Sequence, residues 1–385
     1  MSRSARIALC AVACAFAFPA LAQANTQTVR DGNDRPGPLD IRSATASHEG
    51  AWIRHTITTF ARWRTSLIGG STPHFLAVGL DVRGNARFER LILFVARSNA
   101  LRAFLIAPNG SIVGRLRASR PNGRSVSVLI SRNLLDNVGG YYWDAISVFQ
   151  RRGRQVVDLA PNRRLVLHDV RAPSIDLISF PELSTDTSAD VIFPVSFAIA
   201  DHRRSAGGVR WELQRRLVGS PAWESQGGQA GTGTKNVAVV GVEGAHYLFR
   251  VIARDRHGNV RTSGVRSVSV PLDDRNAVFA GAYDANWSAA AGAAPYLNTL
   301  MVTSTPEARF TYTFSGSEVA VLAPGGGPGT ALITVDGGGA EVDLSDYAGD
   351  RNVVFRASGL DPSEPHTILI RHQTGTFAID GLVVR

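Results

Sequence analysis

The alternation of apolar and polar residues with a period of two constrains the fold of this chain more than any other feature. It is clearest in Arg309–Ser315, where an aromatic ring takes every second position and a polar residue takes the next. Successive side chains of a β-strand point to opposite faces, so the pattern predicts a strand with one buried and one solvated face. Similar short runs recur between turn dipeptides such as Asn109-Gly110 and Gly139-Gly140, and together they predict an all-β protein.

The length of the chain and its composition indicate several globular domains. With 385 residues, 44% of them hydrophobic and 19% charged, the chain is neither a disordered tail nor a membrane bundle. Strand spacing and turn signals predict three consecutive β-sandwich domains, the first of them a sandwich or jelly roll. The expected boundaries are a signal peptide at 1–24, a polar leader at 25–38, and domains at 39–172, 173–270 and 271–385.

The first residues have the pattern of a secretory signal peptide. Two arginines precede an apolar run of twelve residues, Ile7–Phe18, and Ala22–Ala24 supplies an A-x-A cleavage pattern. This run is too short to span a bilayer, and no later run approaches that length. The chain's two cysteines, Cys10 and Cys14, lie in this segment, so the mature chain would hold no disulfide or thiol nucleophile. We therefore expect an exported protein, whether secreted, periplasmic or at the cell surface; lipidation of Cys14 is the alternative.

Charge is distributed unevenly along the chain. The formal net charge is +9, made up of +12 over residues 25–172, +2 over 173–270 and −7 over 271–385, with the two arginines of the signal segment completing it. The basic first segment favours an anionic envelope polymer as a partner. Its arginines are spread through many predicted strands and turns instead of forming a stripe, so no nucleic acid partner is expected.

A pattern in the middle segment resembles the penultimate strand and turn of fibronectin type III and related immunoglobulin-like domains of bacterial secreted proteins. The pattern is Tyr247-x-Phe249-Arg250-Val251-x-Ala253-x-Asp255-x-x-Gly258-Asn259. Strand alternation puts Tyr247, Phe249 and Val251 on one face, and side chains of Asp255 and Asn259 are expected to cap the following turn. Strand and turn spacing predicts a seven-strand sandwich here, and the resemblance implies the same fold without an activity. We expect this domain to act mainly as a spacer.

The last segment resembles carbohydrate-binding-module-like jelly rolls at the C-termini of secreted bacterial proteins. Four stretches carry the resemblance: Phe310–Gly316, Val335–Gly337, Val342–Leu344 and Ile379–Val384. It implies that residues 271–385 form the recognition module. The sequence departs from the sugar-binding members where Val321-Leu322 occupies the place of a tryptophan platform.

Aromatic residues ahead of this last sheet are the candidate ligand-binding site. They lie in a Gly/Ala-rich loop, where exposed rings could stack on sugars while nearby polar groups bind hydroxyls. The predicted site residues are Tyr283, Trp287, Tyr296, Asp346, Tyr347 and Arg351. A second mixture of rings and cations, Trp52 and Trp63 with Arg62 and Arg64, occurs in the first segment, where filling of a core is the default interpretation.

Catalytic patterns are missing from the sequence. There is no G-x-S-x-G or H-E-x-x-H motif, and Ser71 lacks the strand–turn–helix setting that exposes a nucleophile. The nine histidines are scattered, and no metal site is expected from them. We therefore predict no catalytic residue and no cofactor.

The polar leader contains several acidic residues that resemble a calcium loop. It fails the EF-hand template because Arg35 stands at the fifth place, Pro36 replaces the glycine at the sixth, and no glutamate closes it. Two alternatives remain, of which the sequence favours the first: a disordered acidic leader without an ion, or an irregular calcium site made by Asp31, Asn33, Asp34 and Asp40.

Taken together, these features predict an exported, non-catalytic binding or adhesion protein that recognises carbohydrate at the cell surface or outside the cell. One alternative is a structural envelope protein without a small ligand. The other is a hydrolase with its site in the N-terminal domain.

Overall fold

The fold was taken from a computed structural model, in which almost every regular element is a β-strand. The residues described are 25–69, 74–183, 192–202, 208–292 and 294–385. The expected signal peptide, both cysteines and Ser71 lie outside the described residues. Within them, short 3-10 helices and turns join strands into several antiparallel sheets, which confirms the all-β class. The chain divides into two compact units, one ending at Arg171 and the other beginning at Ala172.

The first unit is built from strands that share one hydrophobic core. Its strands are β1 (Asn25–Arg30), β2 (Ile41–Glu49), β3 (Trp52–Thr59), β4 (Phe75–Asp81), β5 (Arg90–Arg97), β6 (Ala100–Ile106), β7 (Ile112–Asn122), β8 (Ser125–Ser131), β9 (Gly140–Arg151), β10 (Arg154–Ala160) and β11 (Val166–Asp169). They follow the order β1-β2-β3-β8-β7-β6-β5-β4-β9-β10, and β11 pairs with β9. The first part of β7 pairs with β6 and the second with β8, so this strand joins two leaves of one sandwich.

Strand β1 corrects the prediction that residues 25–38 form a leader. It pairs with β2 from Asn25 opposite His48 to Arg30 opposite Ser43. The strand was missed because it lies at a sheet edge and consists mostly of polar residues, so its hydropathy resembles that of a loop. Threonine at positions 26 and 28 and Val29 nevertheless suit a half-exposed strand.

The second unit begins with a two-sheet sandwich that has the predicted fibronectin type III or immunoglobulin-like character. Its strands are β12 (Ser174–Ser179), β13 (Ile192–Ala200), β14 (Arg210–Leu217), β15 (Glu224–Ala230), β16 (Gly233–Val240), β17 (His246–Arg254), β18 (Val260–Thr262) and β19 (Arg266–Ser269). One sheet has the order β12-β13-β16 and the other β15-β14-β17-β18, with β19 also paired to β17. Phe197 and Trp211 meet edge to face in the core between the sheets, with ring centroids 5.2 Å apart.

Strand β15 overlaps a Gly/Gln/Thr-rich stretch, Gly227 to Thr234, whose composition is typical of a turn. It pairs with β14 on the outside of its sheet, and its residues are almost all exposed. A Cβ atom at Gly228 would lie 2.5 Å from the carbonyl oxygen of Trp211, so the glycine is required by the close approach of the two backbones. The glycine content of this stretch is typical of a loop, but at Gly228 the glycine allows two strands to pack closely.

The turn after β17 matches its prediction. Tyr247, Phe249 and Val251 are all buried, as one face of the strand. Asp255 Oδ1 accepts hydrogen bonds from the backbone N–H groups of His257 at 2.8 Å and Asn259 at 2.9 Å. Its Oδ2 accepts a third from the Asn259 side-chain amide at 2.7 Å. This buried carboxylate therefore holds the whole turn.

The remainder of the second unit forms another sandwich around its own core. Its strands are β20 (Leu272–Asp273), β21 (Ser288–Ala291), β22 (Thr299–Thr303), β23 (Arg309–Ser315), β24 (Glu318–Ala323), β25 (Thr330–Val335), β26 (Gly338–Asp343), β27 (Asn352–Ser358), β28 (Pro365–Thr374), β29 (Phe377–Ile379) and β30 (Gly381–Val384). The sheets are β20-β30-β24-β27, β21-β22-β29 and β23-β28-β25-β26. Phe310 and Phe314 of β23 are buried, as their alternation predicts.

The two cores of the second unit are connected by side chains. The ring of Tyr296 packs in the core of the immunoglobulin-like sandwich, and its hydroxyl donates to the carbonyl oxygen of Pro271 at 3.2 Å. Nearby, Glu182 pairs with Arg356 at 2.9 Å and with Arg385 at 3.0 Å. These contacts fix the last sandwich to the preceding one.

Buried carboxyl groups are concentrated beside this connection. Thr299 Oγ1 lies 2.7 Å from Oδ1 of Asp273 and 2.5 Å from Oδ1 of Asp274, although a hydroxyl can donate its single proton to only one of them. Burial raises the pKa of Asp274 to about 7. Burial likewise raises the pKa of Asp380 to about 7, although its Oδ1 accepts a hydrogen bond from the Tyr296 N–H. Asp274 and Asp380 therefore take up protons when the chain folds near neutral pH.

Replacing Asp255 by alanine should lower the free energy of unfolding by roughly 2 to 4 kcal/mol, because it leaves buried donors of the turn without an acceptor. Denaturant unfolding of the full chain measures the change. Asp176→Ala, at an exposed position of β12, is the matched control and should change stability by less than about 0.5 kcal/mol. Equal losses in the two variants would contradict this role of Asp255.

The raised pKa of Asp380 predicts a pH dependence of stability. Between pH 4 and 7 the folded state binds more protons at this carboxyl than the unfolded state, so its contribution to stability falls as the pH rises through that window. Asp380→Asn removes the charge and should flatten the dependence, gaining stability relative to wild type by a few kcal/mol at pH 8, on the scale of about 1.4 kcal/mol per pKa unit. Urea midpoints from pH 4 to 8 test it; parallel curves would refute it.

Candidate functional site

The structure places the rings of the predicted sugar site in the core instead of at the surface. Trp287 is 7% exposed and Tyr296 is 1% exposed. The ring of Tyr283 is half-buried and packs against Trp287 at 5.5 Å and against Phe310 at 4.6 Å between centroids. The expectation of exposed rings was wrong because the Gly/Ala-rich segment folds over the sheet, contributing β21 and short 3-10 helices.

The other three predicted residues lie together in the loop that follows β26. Asp346 is exposed, and Arg351 and Tyr347 are half-buried. The Tyr347 hydroxyl donates to the carbonyl oxygen of Val354 at 2.9 Å, and its ring packs against the core. Tyr347 therefore has a structural role in this loop. Trp287 and Tyr296 are buried and Tyr283 packs against the core, so these rings give the loop no exposed stacking surface.

An open groove of about 940 Å³ lies on the outer face of the first unit. Strands β2, β3, β7 and β8 form its floor and the β2–β3 turn forms one end. Ile53 and His55 of β3 point into the core, so the intervening residues Trp52 and Arg54 point outward. Because its side chains alternate between two faces, strand β3 contributes residues both to the core and to the groove.

Trp52 is the side chain that distinguishes this groove. It is 55% exposed, whereas Trp63, which the sequence grouped with it, is buried. The guanidinium group of Arg120 lies 3.8 Å from the Trp63 ring centroid and donates to the Trp63 carbonyl oxygen, so that ring is fixed in the structure. Of the two tryptophans, only Trp52 offers a face to a ligand.

Three arginines share the groove with this ring. The pairing register places Arg54 opposite Leu129 and Leu129 opposite Arg117, so the two arginines flank a leucine in one row. Arg115 lies two residues before Arg117, on the same face. All three arginines are exposed, and among the described residues none of them forms an ion pair. Of the described residues that line the groove, Glu49 is the only acid. The groove can therefore stack on a ring and bind an anion.

A buried histidine–tyrosine pair in the same unit bears on the hydrolase alternative. His55 Nε2 and the hydroxyl of Tyr141 lie 2.8 Å apart, and both side chains are completely buried. Burial lowers the pKa of His55 to about 3, so the ring stays neutral near pH 7. A substrate has no access to this pair, and the rings serve to join the two leaves of the sandwich.

Comparisons with known proteins give no family for this chain. No family model and no curated protein matches it. Solved structures with some similarity include fibronectin(III)-like modules of Clostridium thermocellum CbhA, with 14% identity, 58% of this chain and 86% of that chain covered, and a TM-score of 0.26. The FN1–FN3 domains of chicken CNTN1 match with 8% identity, coverage of 91% and 100%, and a TM-score of 0.23. Domains A168–A170 from titin match with 10% identity, coverage of 63% and 86%, and a TM-score of 0.24.

At such low TM-scores these likenesses carry no argument about this chain. In the part of the chain that the structure describes, no helix is both long and apolar enough to cross a membrane.

Proposed function

We propose that this chain is an exported, non-catalytic binding protein that recognises an acidic polysaccharide through the groove of its first unit. One observation carries the proposal: the exposed ring of Trp52 lies in a groove with three exposed arginines, Arg54, Arg115 and Arg117. The expected signal peptide at residues 1–24 supports an extracellular or envelope location.

The chemistry of these side chains suits a charged sugar. An indole face packs against the C–H groups of a pyranose ring, and a guanidinium group binds a carboxylate or sulfate through two parallel hydrogen bonds. Hydroxyl groups of Ser47 and Ser131 line the same groove and can bind sugar hydroxyls. An open groove admits the middle of a chain, so a polymer fits better than a small closed ligand.

Charge favours the first unit over the last sandwich as the place of recognition. Residues 25–172 carry a net charge of +12, which attracts a polyanion and speeds its encounter. Residues 271–385 carry −7 and would repel the same polymer. We therefore transfer the predicted carbohydrate site from residues 271–385 to the groove and retain the immunoglobulin-like sandwich as a spacer.

Binding of polygalacturonate and of its fully methyl-esterified, uncharged counterpart to the full chain tests this function. Titration calorimetry should show binding of the acidic polymer only, weakening with salt because the arginine contacts are electrostatic. Trp52→Ala and the double variant Arg115→Ala/Arg117→Ala should each weaken binding roughly tenfold or more, a loss of about 1.4 kcal/mol or more.

Two controls separate stacking and local charge from general effects. Trp52→Phe keeps an aromatic face and should retain most of the affinity. Arg102→Ala removes an exposed arginine of β6 outside the groove and should change affinity less than twofold if the groove is the site. Binding that the groove variants leave intact, or equal binding of the esterified polymer, would overturn the proposal. Single-stranded DNA that competes as well as the glycan would show charge attraction without sugar recognition.

A further inference from the structure

Four acidic side chains meet where β1, β2 and β10 approach one another in the first unit. The connection from β1 to β2 carries Asp31, Asp34 and Asp40, and β10 carries Asp158. One carboxylate oxygen from each of Asp31, Asp34 and Asp158 lies within 4.8 Å of the other two. The sequence singled out the first three of the four but gave no sign of Asp158, which lies far along the chain.

Two of these carboxylates are fully buried and have at least one oxygen without a described hydrogen-bond donor. Asp158 is 1% exposed; its Oδ2 accepts from the Ile41 N–H at 2.7 Å, and no described group donates to its Oδ1. Asp40 is 0% exposed, and neither of its oxygens has a donor among the described residues. A buried oxygen of Asp31, Oδ2, is in the same state. Burial of an ionised carboxylate without a partner is costly, so these atoms indicate a ligand.

Another buried acid of the same unit shows how the fold satisfies a carboxylate when no ligand is needed. Asp81 is as buried as Asp158, yet its two oxygens accept hydrogen bonds from three successive backbone N–H groups, those of Gly84, Asn85 and Ala86. The loop around Asp81 wraps the side chain in donors. No such wrapping exists at Asp40 or at Oδ1 of Asp158.

Positive charge near the cluster is limited: the charge of Arg35 acts on Asp158, but without an ion pair. The side-chain amide of Asn162, a neutral group, donates to Asp31 Oδ1 at 2.9 Å and to Asp34 Oδ2 at 3.3 Å. Within the described ranges, no arginine or histidine forms an ion pair with any of the four acids. A bound cation would offset both the burial of these carboxylates and the repulsion between them.

We propose that Asp31, Asp34 and Asp158 bind a calcium ion, with Asp40 adding buried negative charge beside it. The donors are all oxygen atoms, which excludes the nitrogen and sulfur environment that zinc prefers. Calcium accepts six to eight oxygen ligands in irregular arrangements, whereas magnesium requires a small, nearly octahedral shell. Carboxylates from an irregular connection and from a strand suit the larger ion.

The ion would join parts of the unit that are distant in sequence. It would hold the connection between β1 and β2 against β10, next to the hydrogen bond from Ile41 to Asp158. The groove and its arginines contribute no residue to the calcium site, so the two proposals can be tested independently of each other.

Calorimetric titration of the chelator-treated full chain with calcium chloride tests the site. One ion should bind per chain, with a dissociation constant of about 10⁻⁴ to 10⁻³ M, as in extracellular calcium modules. Asp34→Asn and Asp158→Asn should each weaken binding at least about tenfold by removing a charged ligand. Asp34 is exposed, and asparagine at 158 keeps an oxygen for the Ile41 N–H, so both variants are expected to fold, which circular dichroism checks.

Glu49→Gln removes the same charge from an exposed position of the same unit and is the control; its calcium affinity should not change. At a hundredfold excess of calcium over the dissociation constant, the melting temperature of the first unit should rise by roughly 5 to 10 °C. Absence of heat and of a thermal shift at about 10 mM calcium, well above that range, would refute the site. Unchanged affinity in both asparagine variants, or magnesium binding as tightly as calcium, would also refute it.

Discussion

The register of strand pairing is the constraint on which the rest of this structure depends. In β3, Ile53 and Ile57 are buried because they face the opposite leaf of the sandwich, and this fixes Trp52 and Arg54 on the outer face. A slip of one residue would bury an arginine and a tryptophan and expose two isoleucines, at a cost that no surface contact offsets. The same pairing that builds the core therefore fixes the backbone positions of the groove residues and the face on which they lie.

Alternation predicted the elements that have a buried face, and it failed where a strand has none. Strand β23 and strand β17 were readable because their apolar residues recur at every second position. Edge strands β1 and β15 pair on one side only and carry polar residues or glycine, so they resemble loops in composition. For the candidate site the limit is different. Trp52 begins β3 and Trp287 directly precedes β21, and only the packing of distant segments exposes one ring and buries the other.

The two proposed sites, the groove and the acidic cluster, lie at opposite ends of strand β2. Strand β2 starts at Ile41, whose N–H contacts Asp158 of the acidic cluster, and ends at Glu49 on the rim of the groove. The sequence hinted at each feature separately, through leader acids and through a tryptophan near arginines. It could not reveal that Asp158 completes the first or that β7 supplies arginines to the second, because both depend on contacts between residues far apart in the chain.

The ring of Tyr296 has a consequence for how this chain can be divided. Tyr296 comes after the strands of the immunoglobulin-like sandwich in sequence, yet it fills part of that sandwich's interior. A fragment that ends at Val270 would therefore have a cavity in its core where the Tyr296 ring packs. A fragment that begins after Val270 would expose that ring to solvent. The domain boundary in the sequence therefore differs from the boundary between the two hydrophobic cores. Bending between these sandwiches requires the Tyr296 ring to leave the core, so we expect this connection to be rigid.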